Sequence, residues 1–183
     1  MLEWNAGRIK IRFTFSFFAV VGLVSALGGA VQLRLAVILL CSLMHEFGHI
    51  FAMCLFGIPP QSLTFYAGGI RLSENGLKCS PVRCAVILLA GCAVNFASAA
   101  VSILLGHRGL FAAVHLILGG FNLLPFRYFD GGRLYTELTG REPPRIIKLA
   151  ALTPIAAVAA VSLTKGDIPL SLLATLAVIL IDG

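Results

Sequence analysis

The sequence predicts an all-α polytopic membrane protein, with about six transmembrane helices, a three-helix core and a short β-like hairpin between the second and third segments. Apolar residues make up 58% of the 183 residues and charged residues only 12%, whereas a soluble domain usually carries about 25% charged residues. The mean hydropathy is +0.96. This composition excludes an intrinsically disordered chain, a soluble enzyme, a collagen-like rod and a disulfide scaffold.

Six apolar runs are candidates for membrane helices, because a spanning helix needs about 20 mostly apolar residues. In chain order, these runs are residues 13–31, 35–56, 82–105, 109–125, 146–163 and 168–181. The first run is too long for a cleaved signal peptide. No internal repeat is visible, so we expect one membrane-embedded domain over residues 1–183, with a core at about 34–133 and accessory segments at 13–31 and 146–181.

The basic residues predict the orientation in the membrane. The net charge is +6, which in a soluble protein would suggest nucleic acid, but Lys and Arg also gather in the cytoplasmic loops of membrane proteins. With the N-terminus inside, all of the 14 Lys and Arg residues fall in inner positions except Arg34, Arg108 and Lys165. We therefore expect both termini in the cytoplasm and no nucleic-acid partner.

The cysteines predict no disulfide framework. The chain has five, at Cys41, Cys54, Cys79, Cys84 and Cys92. Their number is odd, and no two have C-x-x-C spacing. We interpret them as small apolar residues that face a reducing compartment.

The second segment contains His45-Glu46-Phe47-Gly48-His49, which is an H-E-x-x-H motif inside an apolar helix. Residues four apart lie on the same face of a helix, so His45 and His49 can bind one metal ion. Glu46 lies beside that face and can act on the attacking water. Zinc is the expected ion, because imidazole suits it. The alternative is a histidine pair that packs with Glu46 in a polar core.

Two histidines leave a catalytic zinc one protein ligand short. His107 lies in an outer loop, and His115 begins the fourth segment near the outer face, so we expect both to lie far from the motif. Asp130 follows the fourth segment at its inner end. Pro125 can end the helix there, and the following Gly131 and Gly132 allow an unusual backbone path. The spacing therefore favours Asp130 as the third ligand.

The chain resembles the site-2 protease family of intramembrane zinc metalloproteases. The resemblance rests on HEFGH and on NLLPFRYFDGG, which begins at Asn122, and covers roughly His45 to Arg133. It implies that His45, His49 and Asp130 bind Zn2+ and that Glu46 is the catalytic base. It also implies that Asn122 lines the site, where it helps to bind substrate or an oxyanion.

The small size and six-segment layout are most similar to the sporulation branch of that family, that of the stage IV sporulation protein FB. The resemblance implies a bacterial inner-membrane protease that cleaves a sigma-factor precursor or an anti-sigma factor under a regulatory membrane protein. Two features depart from the pattern. The CBS domain of that branch does not follow the last segment, which leaves control by ATP open. The family's G-P-x-x-N reads Gly91-Cys92-Ala93-Val94-Asn95 here. Asn95 is kept, and it either faces the substrate or bonds a neighbouring helix.

The loop at 57–80 has β character at residues 63–67 and 70–72, on either side of Gly68 and Gly69. A helical substrate must open before it is cut, and unpaired backbone groups in lipid cost several kcal/mol each. This hairpin can therefore offer a strand edge to an extended substrate, with Gly68 and Gly69 as substrate-binding positions. The alternative is a plain cytoplasmic hairpin.

The sequence thus favours an intramembrane zinc endopeptidase that acts on a membrane protein in the bilayer. The alternative is a catalytically silent zinc-binding membrane protein of the same fold, which would have no need of Glu46. Membrane zinc proteases that cut prenylated proteins also carry H-E-x-x-H, but their third ligand is a glutamate, and Asp130-Gly131-Gly132 argues against them.

Overall fold

The structure is a computed structural model that describes residues 2–7, 9–66, 69–73 and 79–153. The chain divides into two compact units, Met1–Phe121 and Asn122–Gly183. The described elements are β1 (Leu2–Ala6), β2 (Ile9–Phe13), α1 (Phe15–Leu27), α2 (Gly29–Leu55), β3 (Ser62–Tyr66), β4 (Gly69–Ser73), α3 (Pro81–Leu104), α4 (Leu110–Asn122) and α5 (Asp130–Thr139). A further helix begins at residue 145 and is described to residue 153.

Two of the helices, α2 and α3, are long and apolar enough to cross a membrane. At 1.5 Å per residue their 27 and 24 residues span about 40 and 36 Å, more than the roughly 30 Å of a bilayer core. The helices α1 and α4 are apolar but have only 13 residues each. The mostly helical fold is confirmed. The six spans stay a prediction, because the end of the fifth candidate and the whole sixth lie outside the described residues.

The helix α2 begins earlier than predicted. It starts at Gly29 rather than residue 35, and the first segment ends at Leu27 rather than residue 31. Gly28 and Gly29 have φ angles of 65° and 55°, a left-handed conformation that ends a helix and that glycine adopts without steric cost. The apolar composition continues across this break, so hydropathy alone could not place it.

The β strands form one four-stranded sheet in the order β1-β2-β3-β4. The predicted hairpin is confirmed as the antiparallel pair β3–β4. The antiparallel pair β1–β2 was not predicted, and β2 runs parallel to β3. In β2, Lys10 and Arg12 alternate with Ile9, Ile11 and Phe13. That alternation is typical of a strand, but the two cations also fit the basic flank of a membrane helix.

The sheet has one apolar face, which packs on the start of α1. The ring of Phe13 stacks on that of Phe65, with centroids 4.6 Å apart, and Phe17 of α1 meets Phe65 edge to face at 5.6 Å. On the other face, Arg12 Nε lies 2.9 Å from Glu3 Oε1, across the register of β1 and β2. These aromatic contacts join the apolar face of the sheet to the start of α1.

One disulfide corrects the expectation of five free cysteines. Cys79 and Cys84 are bonded, with their Cα atoms 5.8 Å apart, and join the start of α3 to the chain before it. Cys41 and Cys92 are buried and free, and Cys54 is exposed. The prediction was wrong for this pair because it looked for C-x-x-C spacing, and these two cysteines are five residues apart.

Candidate metal centre

The two motif histidines lie side by side within the apolar helix α2. Both are buried, at 4% and 6% exposure, and the Nε2 atoms of His45 and His49 are 3.1 Å apart. Their rings are nearly perpendicular. His49 Nδ1 donates a hydrogen bond to the Ile87 carbonyl at 2.8 Å, because a carbonyl can only accept. The lone pair of neutral His49 is therefore on Nε2, the atom that faces His45.

The helix α3 supplies the opposite wall through glycine and alanine. A Cβ atom at Gly91 would collide with His49 Nε2 and would lie 2.8 Å from His45 Cε1. A Cβ atom at Gly48 would lie 2.6 Å from the Ala90 carbonyl oxygen. Small residues let membrane helices approach closely. The histidine pair thus occupies a space that any larger residue at position 91 would fill.

Farther along α3, Asn95 links the site to α4. Its Nδ2 atom lies 3.0 Å from His45 Nδ1, and its Oδ1 atom lies 2.9 Å from His115 Nδ1. Asn95 and His115 are both 0% exposed. The expectation that His115 lies far from the motif was therefore wrong. Both ends of the Asn95 amide contact histidine nitrogens of other helices, which favours the alternative that it bonds a neighbouring helix.

Sequence reasoning also missed Cys92. It is buried on α3, and its Sγ atom lies within 4.8 Å of a ring nitrogen of His45. The thiolate is a good zinc ligand, but in sequence Cys92 is indistinguishable from the other small apolar residues of its helix. The available signal was helical spacing, since Cys92 and Asn95 are three residues apart and share a face of α3.

The geometry of His45 and His49 is compatible with a zinc ion bound by their two Nε2 atoms. Zinc–nitrogen bonds of about 2.0–2.1 Å in a tetrahedral arrangement place two ligand nitrogens roughly 3.3 Å apart. The observed Nε2 separation of 3.1 Å is close to that value. The space opposite Gly91 and the hydrogen bond that orients His49 are further features of a metal site. Glu46, next to His45 on α2, is half-buried.

Asp130 belongs to the second unit, where it is the first residue of α5 and is 8% exposed. The turn before it is closed by hydrogen bonds from the Phe126 amide to the Leu124 carbonyl and from the Phe129 amide to the Phe126 carbonyl, both 2.9 Å long. Gly131 and Gly132 then pass so close to the Leu123 and Phe126 carbonyls that a Cβ atom at either would collide with backbone. This tight turn fixes the backbone of Asp130.

Three further residues were predicted for the site, namely Asn122, Gly68 and Gly69. Asn122 is the last residue of α4 and is half-buried. Gly69 is the first residue of β4, where it pairs with Tyr66, and Gly68 lies outside the described residues. Since β3 lies between β2 and β4, the sheet edge nearest these glycines is β4 rather than β3.

The sequence matches no protein-family model and no curated protein. Among solved structures, the chain is similar to the site-2 protease from Methanocaldococcus jannaschii, with a TM-score of 0.60 and 19% sequence identity. The match covers 97% of this chain and 88% of that one. At this identity the likeness establishes the fold alone, so the chain has the fold of that site-2 protease.

Proposed function

We propose that this protein is an intramembrane zinc endopeptidase. The observation that carries the proposal is the buried pair of Nε2 atoms, 3.1 Å apart on an apolar helix, with Glu46 next to them in sequence. Ionisable residues inside a membrane helix are costly and usually functional. The likeness to a site-2 protease supports the same conclusion at the level of the fold.

We assign His45, His49 and Asp130 as the zinc ligands. A catalytic zinc usually has three protein ligands and one open position. Asp130 is supported by its motif, its burial and the tight turn that fixes it. A buried carboxylate carries a large desolvation cost, which a bound metal ion offsets. Cys92 is the competing ligand, because its sulfur lies near His45.

In this proposal the side chains divide the chemistry between them. When bound, zinc supplies a Lewis acid that activates water and polarises the scissile carbonyl. Glu46 takes the proton of the attacking water and passes it to the leaving amine. Asn122 donates a hydrogen bond to the developing oxyanion.

The proposed substrate is a membrane protein cut within or near its transmembrane segment. The edge strand β4 offers backbone groups that replace the hydrogen bonds a substrate helix loses when it opens. The proposed orientation, with both termini in the cytoplasm, places the site in the inner half of the membrane. The similarity to the sporulation branch makes a sigma-factor precursor or an anti-sigma factor the first substrate to test.

The test compares the wild type with Glu46→Gln, purified in detergent and reconstituted with single-span membrane proteins. Both proteins should bind one equivalent of zinc, because the ligands are unchanged. Peptide cleavage should fall by at least about 10²–10⁴-fold in the variant, the usual contribution of a general acid–base group. Mass spectrometry of the products and metal analysis give the two readouts.

Three outcomes decide between the alternatives. Equal cleavage by both proteins would rule out Glu46 as the base. Zinc binding without any cleavage by the wild type would favour the silent zinc-binding protein. A wild type that binds no zinc would overturn the proposed function as a whole.

A further inference from the structure

A cavity in the second unit is lined by charged side chains of both signs. It has a volume of about 370 Å³, within the range of roughly 300–1,000 Å³ that is usual for small-molecule sites. Its charged lining residues are Arg127, Arg133, Glu137, Glu142 and Lys148. We propose that this cavity binds a phosphoethanolamine group, the headgroup of a phospholipid that carries both a phosphate and a primary ammonium. The proposal does not depend on the zinc site.

The cavity lies where α5 connects to the helix that begins at residue 145. Gly140 ends α5 with a φ angle of 67°, and its amide donates a hydrogen bond to the Thr136 carbonyl at 2.8 Å. Pro143 of the connection is buried and lines the cavity, and the Lys148 amide donates to the Pro144 carbonyl at 3.2 Å. Backbone hydrogen bonds and the fixed φ angles of two prolines therefore shape the connection.

Four of the charged side chains line the cavity without neutralising one another. Within the described part of the chain, four of them form no salt bridge and no side-chain hydrogen bond: Arg127, Glu137, Glu142 and Lys148. A ligand with one sign of charge would be attracted by one pair and repelled by the other. A ligand that carries both signs is attracted by both pairs. We assign no role to Arg133, which has an interaction of its own.

The donors and acceptors of these side chains match the two ends of phosphoethanolamine. Arginine and lysine can only donate, so Arg127 and Lys148 suit the phosphate oxygens. A carboxylate can only accept, so Glu137 and Glu142 suit an ammonium that has N–H groups to donate. The quaternary ammonium of a choline headgroup has no such donor. The pattern of charges therefore favours an ethanolamine headgroup over a choline headgroup.

The position of the cavity in the chain points to a lipid rather than a soluble ester. Lys148 lies in the first turn of the helix at residue 145, which opens the fifth apolar run of the sequence. Ile146 and Leu149 of that helix are 79% and 61% exposed, and they share a face because they are three residues apart. Basic pockets at the membrane surface commonly bind lipid headgroups. The exposed apolar side chains are then available to the acyl chains.

The first test compares three lipids with the same acyl chains, titrated into the full-length protein after delipidation in detergent and measured by native mass spectrometry. Phosphatidylethanolamine should bind about 10-fold more tightly than phosphatidylcholine, because the difference is of the order of one charged hydrogen bond. Phosphatidylglycerol keeps the phosphate but lacks the ammonium, so it should also bind more weakly than phosphatidylethanolamine.

The lipid comparison also defines what would overturn the proposal. Equal affinity for phosphatidylethanolamine and phosphatidylcholine would rule out the role of the carboxylates. Tightest binding of phosphatidylglycerol would mean that the basic side chains select any anionic lipid. Glycerophosphoethanolamine, which has the headgroup without acyl chains, should bind more weakly than the lipid. If it bound as tightly, the ligand would be a soluble ester, and the assignment to a lipid would be wrong.

Substitutions locate the binding in the cavity. Lys148→Gln should weaken all three lipids by about 10-fold, because each of them has the phosphate. The double variant Glu137→Gln and Glu142→Gln should weaken phosphatidylethanolamine alone and bring its affinity to that of phosphatidylcholine. The matched control is Arg141→Gln, which removes an exposed cation of the same connection that is not among the lining residues. It should bind all three lipids like the wild type.

The control separates a built site from a diffuse attraction of lipid to positive charge. Equal weakening by Arg141→Gln and Lys148→Gln would overturn the cavity as the site. None of these substitutions alters a proposed zinc ligand or Glu46, so zinc binding should be unchanged in every variant. Selective lipid binding by a protein that binds no zinc would support the inference while the proposed function fails. Zinc binding and cleavage without lipid selectivity would overturn the inference alone.

Discussion

Each unit of the molecule contains a glycine contact that a single methyl group would disrupt. In one unit the neighbouring atoms belong to side chains, and in the other they belong to the backbone. In the first unit, Gly91 faces the imidazoles of His45 and His49. In the second unit, Gly131 and Gly132 face the backbone carbonyls of Leu123 and Phe126. A side chain can rotate away from an added methyl group, whereas a carbonyl in a closed turn cannot. An added methyl group at Gly91 is therefore expected to affect mainly zinc binding. An added methyl group at Gly131 or Gly132 is expected to affect mainly stability.

The largest change in metal binding is expected for Gly91→Ala. The added Cβ atom takes the space of His49 Nε2 and presses on His45, so both ligands must turn away. We expect the zinc affinity to fall by more than about 100-fold, the upper end of the cost of an outer-shell change. The measurement is zinc titration of the purified protein in detergent.

The matched control for Gly91→Ala is Gly120→Ala on α4. A Cβ atom there meets nothing within 4 Å, so zinc affinity should stay at the wild-type value. The helix should gain about 0.5–1 kcal/mol, the usual difference between glycine and alanine. Full zinc affinity in Gly91→Ala would show that the histidine pair does not need this space.

The next largest change is expected for Asp130→Ala. If this carboxylate is the third ligand, its loss should lower zinc affinity by about 100-fold and abolish cleavage, whereas Glu46→Gln loses cleavage alone. Asp130→Glu should keep part of the metal but misplace it by about one methylene group. Metal analysis of the three purified variants provides the comparison.

Cys92→Ala is the companion to Asp130→Ala, because Cys92 is the competing ligand near His45. Under our assignment this variant keeps its zinc. If Cys92→Ala lost the metal while Asp130→Ala kept it, the third ligand would be the thiolate, and the turn of the second unit would serve stability alone.

Gly131→Ala tests the turn itself, and its expected effect is on the free energy of unfolding. Overpacking of a tight contact usually costs about 1–3 kcal/mol of stability. In the metal-free proteins, Gly131→Ala should therefore lower the unfolding temperature more than Gly91→Ala does. If Gly91→Ala lowered the unfolding temperature more than Gly131→Ala, the turn would relax more easily than the imidazoles rotate. The difference proposed between the side-chain contact and the backbone contact would then be wrong.

The sequence predicted the parts of this site that depend on local spacing. His45 and His49 are four residues apart, so the helical period alone places them together. The hydrogen bonds of Asn95 to His45 and His115 were missed because these residues are 50 and 20 positions apart in the sequence. Which faces of α2, α3 and α4 meet there is decided by Gly48, Gly91 and Gly119. A glycine in an apolar segment gives no sign of the atom that it faces.

The sheet shows a second limit of prediction from sequence, because the pattern of a β strand and that of the basic flank of a membrane helix coincide in β2. The hairpin β3–β4 was predicted from its own composition, but β1 and β2 were not, because Lys10 and Arg12 also fit the basic flank of a membrane helix. Only pairing distinguishes the two interpretations, since the register of β1 and β2 places Glu3 opposite Arg12. A flanking segment without pairing would have no fixed partner for that cation.

The smallest effect that we expect is at this ion pair, and it tests whether the pairing has energetic weight. Glu3 and Arg12 are 45% and 36% exposed, so water screens their attraction, and pairs of this kind contribute about 0.2–1 kcal/mol. Glu3→Gln and Arg12→Gln, alone and together, form a double-mutant cycle read by thermal unfolding in detergent. The coupling energy should lie in that range, decrease as salt is added, and leave zinc affinity unchanged in all three variants. A coupling near zero at low salt would mean that β1 is held by its backbone hydrogen bonds alone. A loss of zinc affinity in any of these variants would contradict the expectation that the sheet does not contribute to the metal site.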